Sequence, residues 1–78
     1  MENEREIISK ISYEYTFEKN KGRYIFSIHE PVGIGRDVVE YLTEKDFLSY
    51  KENPELFIKQ KIKQLKEHPD NYEIKWWR

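Results

Sequence analysis

The chain has 78 residues, no cysteine, and 14 Lys and Arg residues against 15 Asp and Glu residues. This length predicts one domain over residues 1–78. The lack of cysteine excludes a disulfide framework, a thiolate nucleophile and a cysteine-ligated zinc site. The net charge of −1 gives no general attraction to nucleic-acid phosphates.

The compartment is predicted from several absences. No apolar run approaches the roughly 20 residues that span a bilayer, so no membrane partner is expected. The acidic N-terminus is unlike a signal peptide, and a secreted domain of this size would ordinarily need disulfides, so a cytoplasmic location is expected. Alanine is absent beside ten lysines and nine isoleucines, which favours an AT-rich source such as a low-GC bacterium or its phage.

Apolar and polar residues alternate from Ile7 to Phe17, which predicts one half-buried strand. A second alternating run covers residues 23–29, and residues 19–22 between them predict a hairpin turn centred on Asn20 and Lys21. This turn sets a register in which apolar residues meet. The expected pairs are Phe17 with Tyr24, Tyr15 with Phe26, and Tyr13 with Ile28.

Pro31 to Gly35 interrupts the regular pattern and predicts a loop or a bulged strand end. Residues 37–42 fit a strand or a helix, and a strand is favoured because a new helix begins immediately after them. Thr43 is a suitable N-cap with Asp46 at the third helical position, and Leu42 and Phe47 would form a hydrophobic staple.

The first helix is predicted over residues 44–51. A second begins after the Asn53-Pro54 pair and runs to about Glu67. Residues 72–77 alternate again and predict a final strand, at an edge that the pattern does not specify. The order is β-β-β-α-α-β, which predicts a small α+β fold. A three-stranded antiparallel meander plus the C-terminal strand would carry both helices on one face.

The covered face and the helices should supply the core. On the sheet, the expected core residues are Ile11, Tyr13, Tyr15, Phe17, Tyr24, Phe26, Ile28, Ile74 and Trp76. On the helices, they are Phe47, Phe57, Ile58, Ile62 and Leu65.

One arrangement in the hairpin resembles catalytic chemistry. The predicted register places Ser12 opposite His29 and Glu14 opposite Ser27, so that a hydroxyl, an imidazole and a carboxylate come within reach of one another. An open sheet face provides neither a cleft nor an oxyanion site, and polar residues there ordinarily face water. No catalytic residue and no enzyme activity is therefore predicted.

Ligand-binding motifs are equally weak. His29 and His68 lack the spacing of a metal site, and His68 suits a helix C-terminus. Gly33 and Gly35 do not form a phosphate-binding fingerprint, and a turn or bulge explains them better. No metal and no cofactor is predicted.

Two surfaces remain as binding candidates. Lys59, Lys63 and Lys66 form a stripe on the second helix. A nucleic-acid binder would use this stripe, or Lys10, Arg23 and Lys75, for phosphates and the aromatic residues of the outer sheet face for stacking. A solvated helix face explains the stripe better, because the domain as a whole is neutral. Trp77 should point outward from the last strand, on the same face as Ile8, Ile25 and either Val39 or Tyr41. An exposed Trp beside Arg78 has the composition of an interface hot spot, unless Trp77 merely covers the open sheet.

The leading hypothesis is a non-enzymatic protein-interaction module, of the regulator or inhibitor type. It would bind through the outer sheet face at Trp77, Ile25, His29, Ile8 and Arg78. The partner would be another protein or a second copy of the chain. A nucleic-acid-binding domain and an uncharacterised structural protein or homodimer are the alternatives.

Overall fold

The computed structural model describes residues 5–12, 14–30 and 35–76. Five strands form one antiparallel sheet in the order of the chain, and two helices follow the fourth strand. The strands are β1 (Arg5–Ile11), β2 (Tyr15–Asn20), β3 (Arg23–Glu30), β4 (Arg36–Leu42) and β5 (Glu73–Trp76), and the helices are α1 (Glu44–Glu52) and α2 (Pro54–Glu67). The predicted small α+β fold is confirmed, with four strands in the meander before the helices instead of three.

The extra strand arises because the first predicted strand is in fact two. β1 ends at Ile11, and the backbone N–H of Glu14 donates to the carbonyl of Ile11 at 3.0 Å, which closes a turn before β2 begins. This turn contains no glycine, proline or asparagine, and apolar residues keep the same spacing across it. Alternation alone therefore could not reveal it. Tyr13, which was expected in the core, lies outside the described residues.

The β2–β3 hairpin forms, but the predicted register is wrong by two residues. Phe17 pairs with Phe26, Tyr15 with Ile28, and Lys19 with Tyr24. The turn is centred on Lys21 and Gly22, which have φ angles of 53° and 82°. Two central residues with positive φ define the type I′ turn that suits the twist of a hairpin, and glycine at the second position favours it over a turn centred on Asn20 and Lys21. A shift of two residues leaves every side chain on its predicted face.

The helix boundaries follow their caps. The Thr43 hydroxyl accepts from the backbone N–H of Asp46, and the Asp46 carboxylate accepts from the backbone N–H of Thr43 at 2.9 Å, which confirms the capping box. Asn53 caps α2 through a hydrogen bond from the backbone N–H of Leu56, with Pro54 at the first helical position. The predicted strand over residues 37–42 is confirmed as β4.

Both helices pack on one face of the sheet, where Phe17 lies at the centre of the core. Its ring is 4.9 to 6.4 Å, between centroids, from the rings of Phe26, Phe47, Tyr50 and Phe57. Such offset and edge-on contacts add to the stabilisation from area burial. The buried cluster consists of Tyr15, Phe17, Phe26, Ile28, Val38, Leu42, Phe57 and Leu65. Partly buried around it are Ile8, Tyr24, Phe47, Tyr50, Ile58, Ile62, Tyr72 and Ile74.

Two residues expected in the core are exposed. Trp76 is on the predicted face but 65% exposed, because it pairs with Arg36 at the end of an edge strand, one step beyond the covered pair of Val38 and Ile74. The Arg36 guanidinium lies over its ring at 5.7 Å. Ile11 is 49% exposed at the end of the opposite edge strand, β1. Strand alternation sets the face of a residue, but the extent of the helix layer sets its burial.

Neither helix in the described part of the chain is long and apolar enough to cross a membrane.

Candidate functional site

The sheet has a second face, opposite the helices, which we call the outer face. Register and alternation assign its residues row by row across the sheet. The first row contains Arg5, Asn20 and Arg23, and the second contains Ile7, Glu18, Ile25 and Tyr41. The third contains Lys10, Thr16, Ser27, Val39 and Glu73, and the fourth contains His29, Asp37 and Lys75.

No helix or strand of the described residues packs on this outer face. Apolar side chains nevertheless lie on it: Val39 is buried between neighbouring strands, Ile25 is half-buried, and Tyr41 and Ile7 are exposed. Tyr41 and Ile25 are directly paired across β3 and β4. The face therefore combines apolar surface with charged residues at its margins.

A network of three polar side chains joins the three central strands. The Thr16 hydroxyl lies 2.9 Å from Nε2 of His29, and Nδ1 of His29 lies 2.8 Å from Oδ1 of Asp37. Thr16 is only 5% exposed, while His29 and Asp37 are partly buried. Each central strand thus contributes one member, and the imidazole is held at both nitrogens.

The chemistry of the two partners of His29 decides the direction of each hydrogen bond in this network. A carboxylate only accepts, so Nδ1 of His29 donates to Asp37. In the neutral ring, Nε2 then accepts from the Thr16 hydroxyl, and in the imidazolium Nε2 donates to it. The network remains hydrogen-bonded in both states of His29.

This arrangement replaces the predicted one, in which Ser12 and Glu14 were the partners of His29. That prediction is wrong because the register is shifted by two residues and because Ser12 lies in the β1–β2 turn. Glu14 meets His29 only through the backbone, where its carbonyl accepts from the His29 N–H at 2.9 Å.

A shallow depression of about 220 Å³ lies over this network. Its margins carry charge of both signs, including an ion pair in which Nε of Arg5 donates to Glu18 at 2.9 Å. Ile25 and Val39 contribute its apolar part, and Lys75 stands beside Asp37. The lining of the depression therefore combines the His29 imidazole and the Ser27 side chain with apolar groups.

The predicted interface residues differ in where they lie. Ile25 and His29 come together on the outer face and line the same depression. Ile8 packs against the core instead, because a bulge between Ile7 and Ser9 inserts an extra residue into β1 and restarts the alternation. Trp77 and Arg78 lie outside the described residues. Val39 and Tyr41 are on the outer face as expected.

A second depression lies at the end of the sheet, beside the β2–β3 turn, and we call it the hairpin-end pocket. It measures about 310 Å³. Lys19 Nζ lies 5.5 Å from the centroid of the Tyr24 ring, and the Arg23 guanidinium lies 4.7 Å from that of Tyr41. Its lining consists of Lys19, Gly22, Arg23, Tyr24, Tyr41, Leu42 and Glu44.

The lysine stripe of α2 is also present. Lys59, Lys63 and Lys66 are exposed, and none of the ion pairs among the described residues involves them. Lys61 differs, because its ammonium donates to both carboxylate oxygens of Glu40 on β4, at 3.1 and 3.2 Å. Over the residues that the structure covers, no group of three His, Asp or Glu side chains is arranged to hold a metal ion.

Comparison with known proteins gives no relative from which a function could be inferred. The chain matches no protein-family model, no curated protein and no solved structure.

Sequence reasoning missed two members of the network, Thr16 and Asp37. Both are polar residues at outward positions, so the alternation marked their face correctly. Their contact with His29 depends on the registers of the β2–β3 and β3–β4 pairs. Glycine at the second central position of the β2–β3 turn could have indicated the first of these registers. Lys19 and Tyr24 were missed as pocket residues because the turn was placed one residue too early.

Proposed function

We propose that the protein is a non-enzymatic interaction module that binds another protein through the outer face of its sheet. One observation carries the proposal: the central strands keep the half-buried Ile25 and the exposed Tyr41 on a face that no described helix or strand covers. Apolar and aromatic groups bordered by polar residues are the usual composition of a protein-binding patch.

The charge on this face supports a protein partner. Arg5 and Glu18 are paired, and Lys75 stands opposite Asp37. A surface for nucleic-acid phosphates would be predominantly basic, whereas alternating signs suit the mixed charges of a protein surface.

A catalytic role for Thr16, His29 and Asp37 is less well supported. β2, β3 and β4 are each paired on both sides, so their backbone N–H groups serve the sheet and are not directed at a developing oxyanion. The Thr16 hydroxyl is nearly inaccessible to a substrate. We therefore assign the network a structural role that holds the central strands and shapes the outer face.

The test is affinity capture with three baits: wild type, Ile25→Lys and Leu48→Lys. Leu48 is 57% exposed on α1, so its variant introduces the same charge on the opposite side of the molecule. A protein retained by wild type and Leu48→Lys but lost by Ile25→Lys would support the proposal. Equal retention by all three baits would contradict it.

Two controls make the result interpretable. Circular dichroism must show that each bait is folded, since Ile25 is half-buried. Light scattering gives the mass of each bait alone and separates binding of another protein from association between copies of this chain.

A nucleic-acid-binding function is the second candidate, favoured by the three exposed lysines of α2 without ion-pair partners in the described structure. It predicts binding of a single-stranded oligonucleotide that weakens steeply with salt and is lost in a Lys59, Lys63 and Lys66 triple glutamine variant. An affinity insensitive to salt would exclude it.

A further inference from the structure

The last strand, β5, has one edge with which no strand of the described residues pairs. On its other side it pairs with β4, and the two helices contact chiefly β3 and β4. An unpaired strand edge presents a row of backbone N–H and C=O groups to which another strand can bond. The free edge of β5 is therefore a candidate surface for pairing with a second chain.

The hydrogen-bond pattern of the sheet decides which residues of β5 point their backbone groups to this edge. The two-residue β2–β3 turn begins from a hydrogen-bonded pair, so odd-numbered residues of β3 bond to β2 and even-numbered ones to β4. The 2.9 Å bond from the His29 N–H to the Glu14 carbonyl agrees with this assignment. The same alternation across β4 leaves the backbone groups of Ile74 and Trp76 pointing to the free edge.

Charge makes this edge complementary to itself. In an antiparallel pair of two β5 strands centred on Ile74, Glu73 of each copy lies opposite Lys75 of the other. These are non-hydrogen-bonded positions, where opposite side chains lie closest. Glu73 and Lys75 are exposed, and neither takes part in an ion pair among the described residues. The acidic neighbour of Lys75 on β4 is Asp37, which accepts from His29, so each lysine would lie between two carboxylates.

The register of this pairing is selective. Sliding one strand by two residues is the smallest shift that keeps the outward backbone groups opposite each other. In one direction it places the two copies of Glu73 opposite each other, and in the other direction the two copies of Lys75. Like charges directly opposite are destabilising. Opposite charges therefore meet only in the register centred on Ile74.

Backbone and apolar groups fit the same register. The Ile74 N–H of each copy meets the Ile74 carbonyl of the other, and the Trp76 N–H meets the Tyr72 carbonyl. The Tyr72 N–H is used within its own chain, where it donates to the carbonyl of Pro69 at 3.1 Å. On the helix-covered face, the Trp76 side chain, which is 65% exposed in the single chain, lies opposite Tyr72. The pairing gives this exposed ring an aromatic neighbour.

We propose that two copies of this chain associate through β5 and join their five-stranded sheets into one continuous sheet, with both outer faces on the same side. The other edge strand, β1, carries a bulge between Ile7 and Ser9, and bulges are one means by which edge strands avoid pairing. The association therefore closes as a symmetric dimer and does not extend from edge to edge. It does not depend on the proposed function, because Ile25 and Tyr41 lie on β3 and β4, away from this edge.

The test is sedimentation equilibrium of the full chain at constant ionic strength. Wild type should dimerise with a dissociation constant on the order of 0.1 mM, because a pairing of short strands is smaller than a standard interface, so concentrations up to about 1 mM are needed. Glu73→Lys and Lys75→Glu each place like charges opposite each other and should weaken the dimer at least about tenfold. An equimolar mixture of the two variants restores opposite charges and should recover association.

Two controls accompany these variants. Glu67→Lys and Lys63→Glu, at exposed positions of α2, change the net charge by the same amounts and should leave the dissociation constant within about twofold of wild type. Circular dichroism should show every variant folded, since Glu73 and Lys75 are exposed.

Dilution of the ¹⁵N-labelled wild type, followed by NMR, locates the contact. The amide signals of Ile74 and Trp76 should shift with concentration, and those of β1 should stay in place. The inference would be overturned by a monomer over the whole concentration range, by equal association of wild type and both β5 variants, or by concentration-dependent shifts at β1 or at Ile25 in place of β5.

Discussion

His29 is held at both ring nitrogens by side chains of the neighbouring strands, and at its backbone N–H by the carbonyl of Glu14. A partly buried imidazole with two satisfied nitrogens avoids the cost of an unpaired polar group, and it satisfies the hydroxyl of Thr16 as well. The network should therefore contribute to stability whether or not a partner is bound.

Substitution of His29 by Ala should lower the free energy of unfolding by about 1–3 kcal/mol, because Thr16 and Asp37 each lose a hydrogen-bond partner at a poorly solvated site. Urea denaturation followed by circular dichroism measures this. His68→Ala, at the exposed end of α2, is the matched control and should change the value by less than about 0.5 kcal/mol. Equal effects of the two substitutions would show that the network is not stabilising.

At the scale of elements, the starts of both helices could be predicted from the residues that cap them. Thr43 with Asp46 predicted where α1 begins, and Asn53 with Pro54 predicted where α2 begins, because these side chains satisfy backbone groups that a helix end leaves free. The β1–β2 turn had no such residue, so β1 and β2 were read as one strand. The register of the β2–β3 hairpin was misplaced because the turn was centred on Asn20 and Lys21, whereas glycine at the second central position favours the type I′ turn at Lys21 and Gly22.

Substitutions at the two central residues of the β2–β3 turn should change the stability of the protein in opposite directions. Gly22→Ala should destabilise the protein by about 1–2 kcal/mol through its left-handed backbone alone, since an added Cβ would meet no atom within 4 Å. Lys21→Asn should stabilise it, since asparagine tolerates positive φ better than lysine. Thermal unfolding of both variants beside wild type is the measurement. Stabilisation by Gly22→Ala would contradict the type I′ turn.

The capping box at the start of α1 should contribute to the stability of the protein. Thr43→Ala should lower the free energy of unfolding at neutral pH by about 1 kcal/mol, because the backbone N–H of Asp46 loses its acceptor. Ser49→Ala, at an exposed position inside α1, should have little effect or a stabilising one. A larger loss at Ser49 than at Thr43 would contradict the assignment.

The same box links stability to pH through Asp46. Partial burial acts to raise the pKa of this carboxyl, but the hydrogen bonds from Thr43 and the charges of Lys61 and Lys45 outweigh it and hold the pKa below 3.8. Because the folded-state pKa is the lower one, the carboxylate stabilises the fold above 3.8, and this contribution is lost as the pH falls through the folded value.

Asp46→Asn should therefore be less stable than wild type at neutral pH, and the difference should narrow as the pH falls below 3.8. Urea denaturation of both proteins at neutral and acidic pH measures the difference. A stability difference that stays constant or widens as the pH falls would contradict this role of the Asp46 carboxylate.

At the scale of the whole molecule, alternation predicted the faces of the sheet more reliably than the burial of individual residues. Tyr15, Phe17, Phe26 and Ile28 are buried as expected, because a register error of two residues preserves their face. The exposure of Trp76 could not be predicted in this way, since it depends on how far the two helices extend over β5. The packing of Ile8 against the core depends on a bulge that no residue type in β1 predicts.

At this scale, we propose that the function of the protein depends on the outer face of its sheet. Among the described residues, both helices lie on one side of the sheet, and the other side holds apolar groups beside an ordered polar network. The residues at its centre should therefore control binding more strongly than exposed apolar residues on the helices.

The dissociation constant of the captured protein partner, measured by calorimetry for wild type, Ile25→Lys and Leu48→Lys, tests this claim most directly. We expect Ile25→Lys to weaken binding at least about tenfold, which corresponds to about 1.4 kcal/mol, and Leu48→Lys to leave the constant nearly unchanged. Equal constants for all three proteins, or a larger loss for Leu48→Lys, would show that the partner does not bind through the outer face.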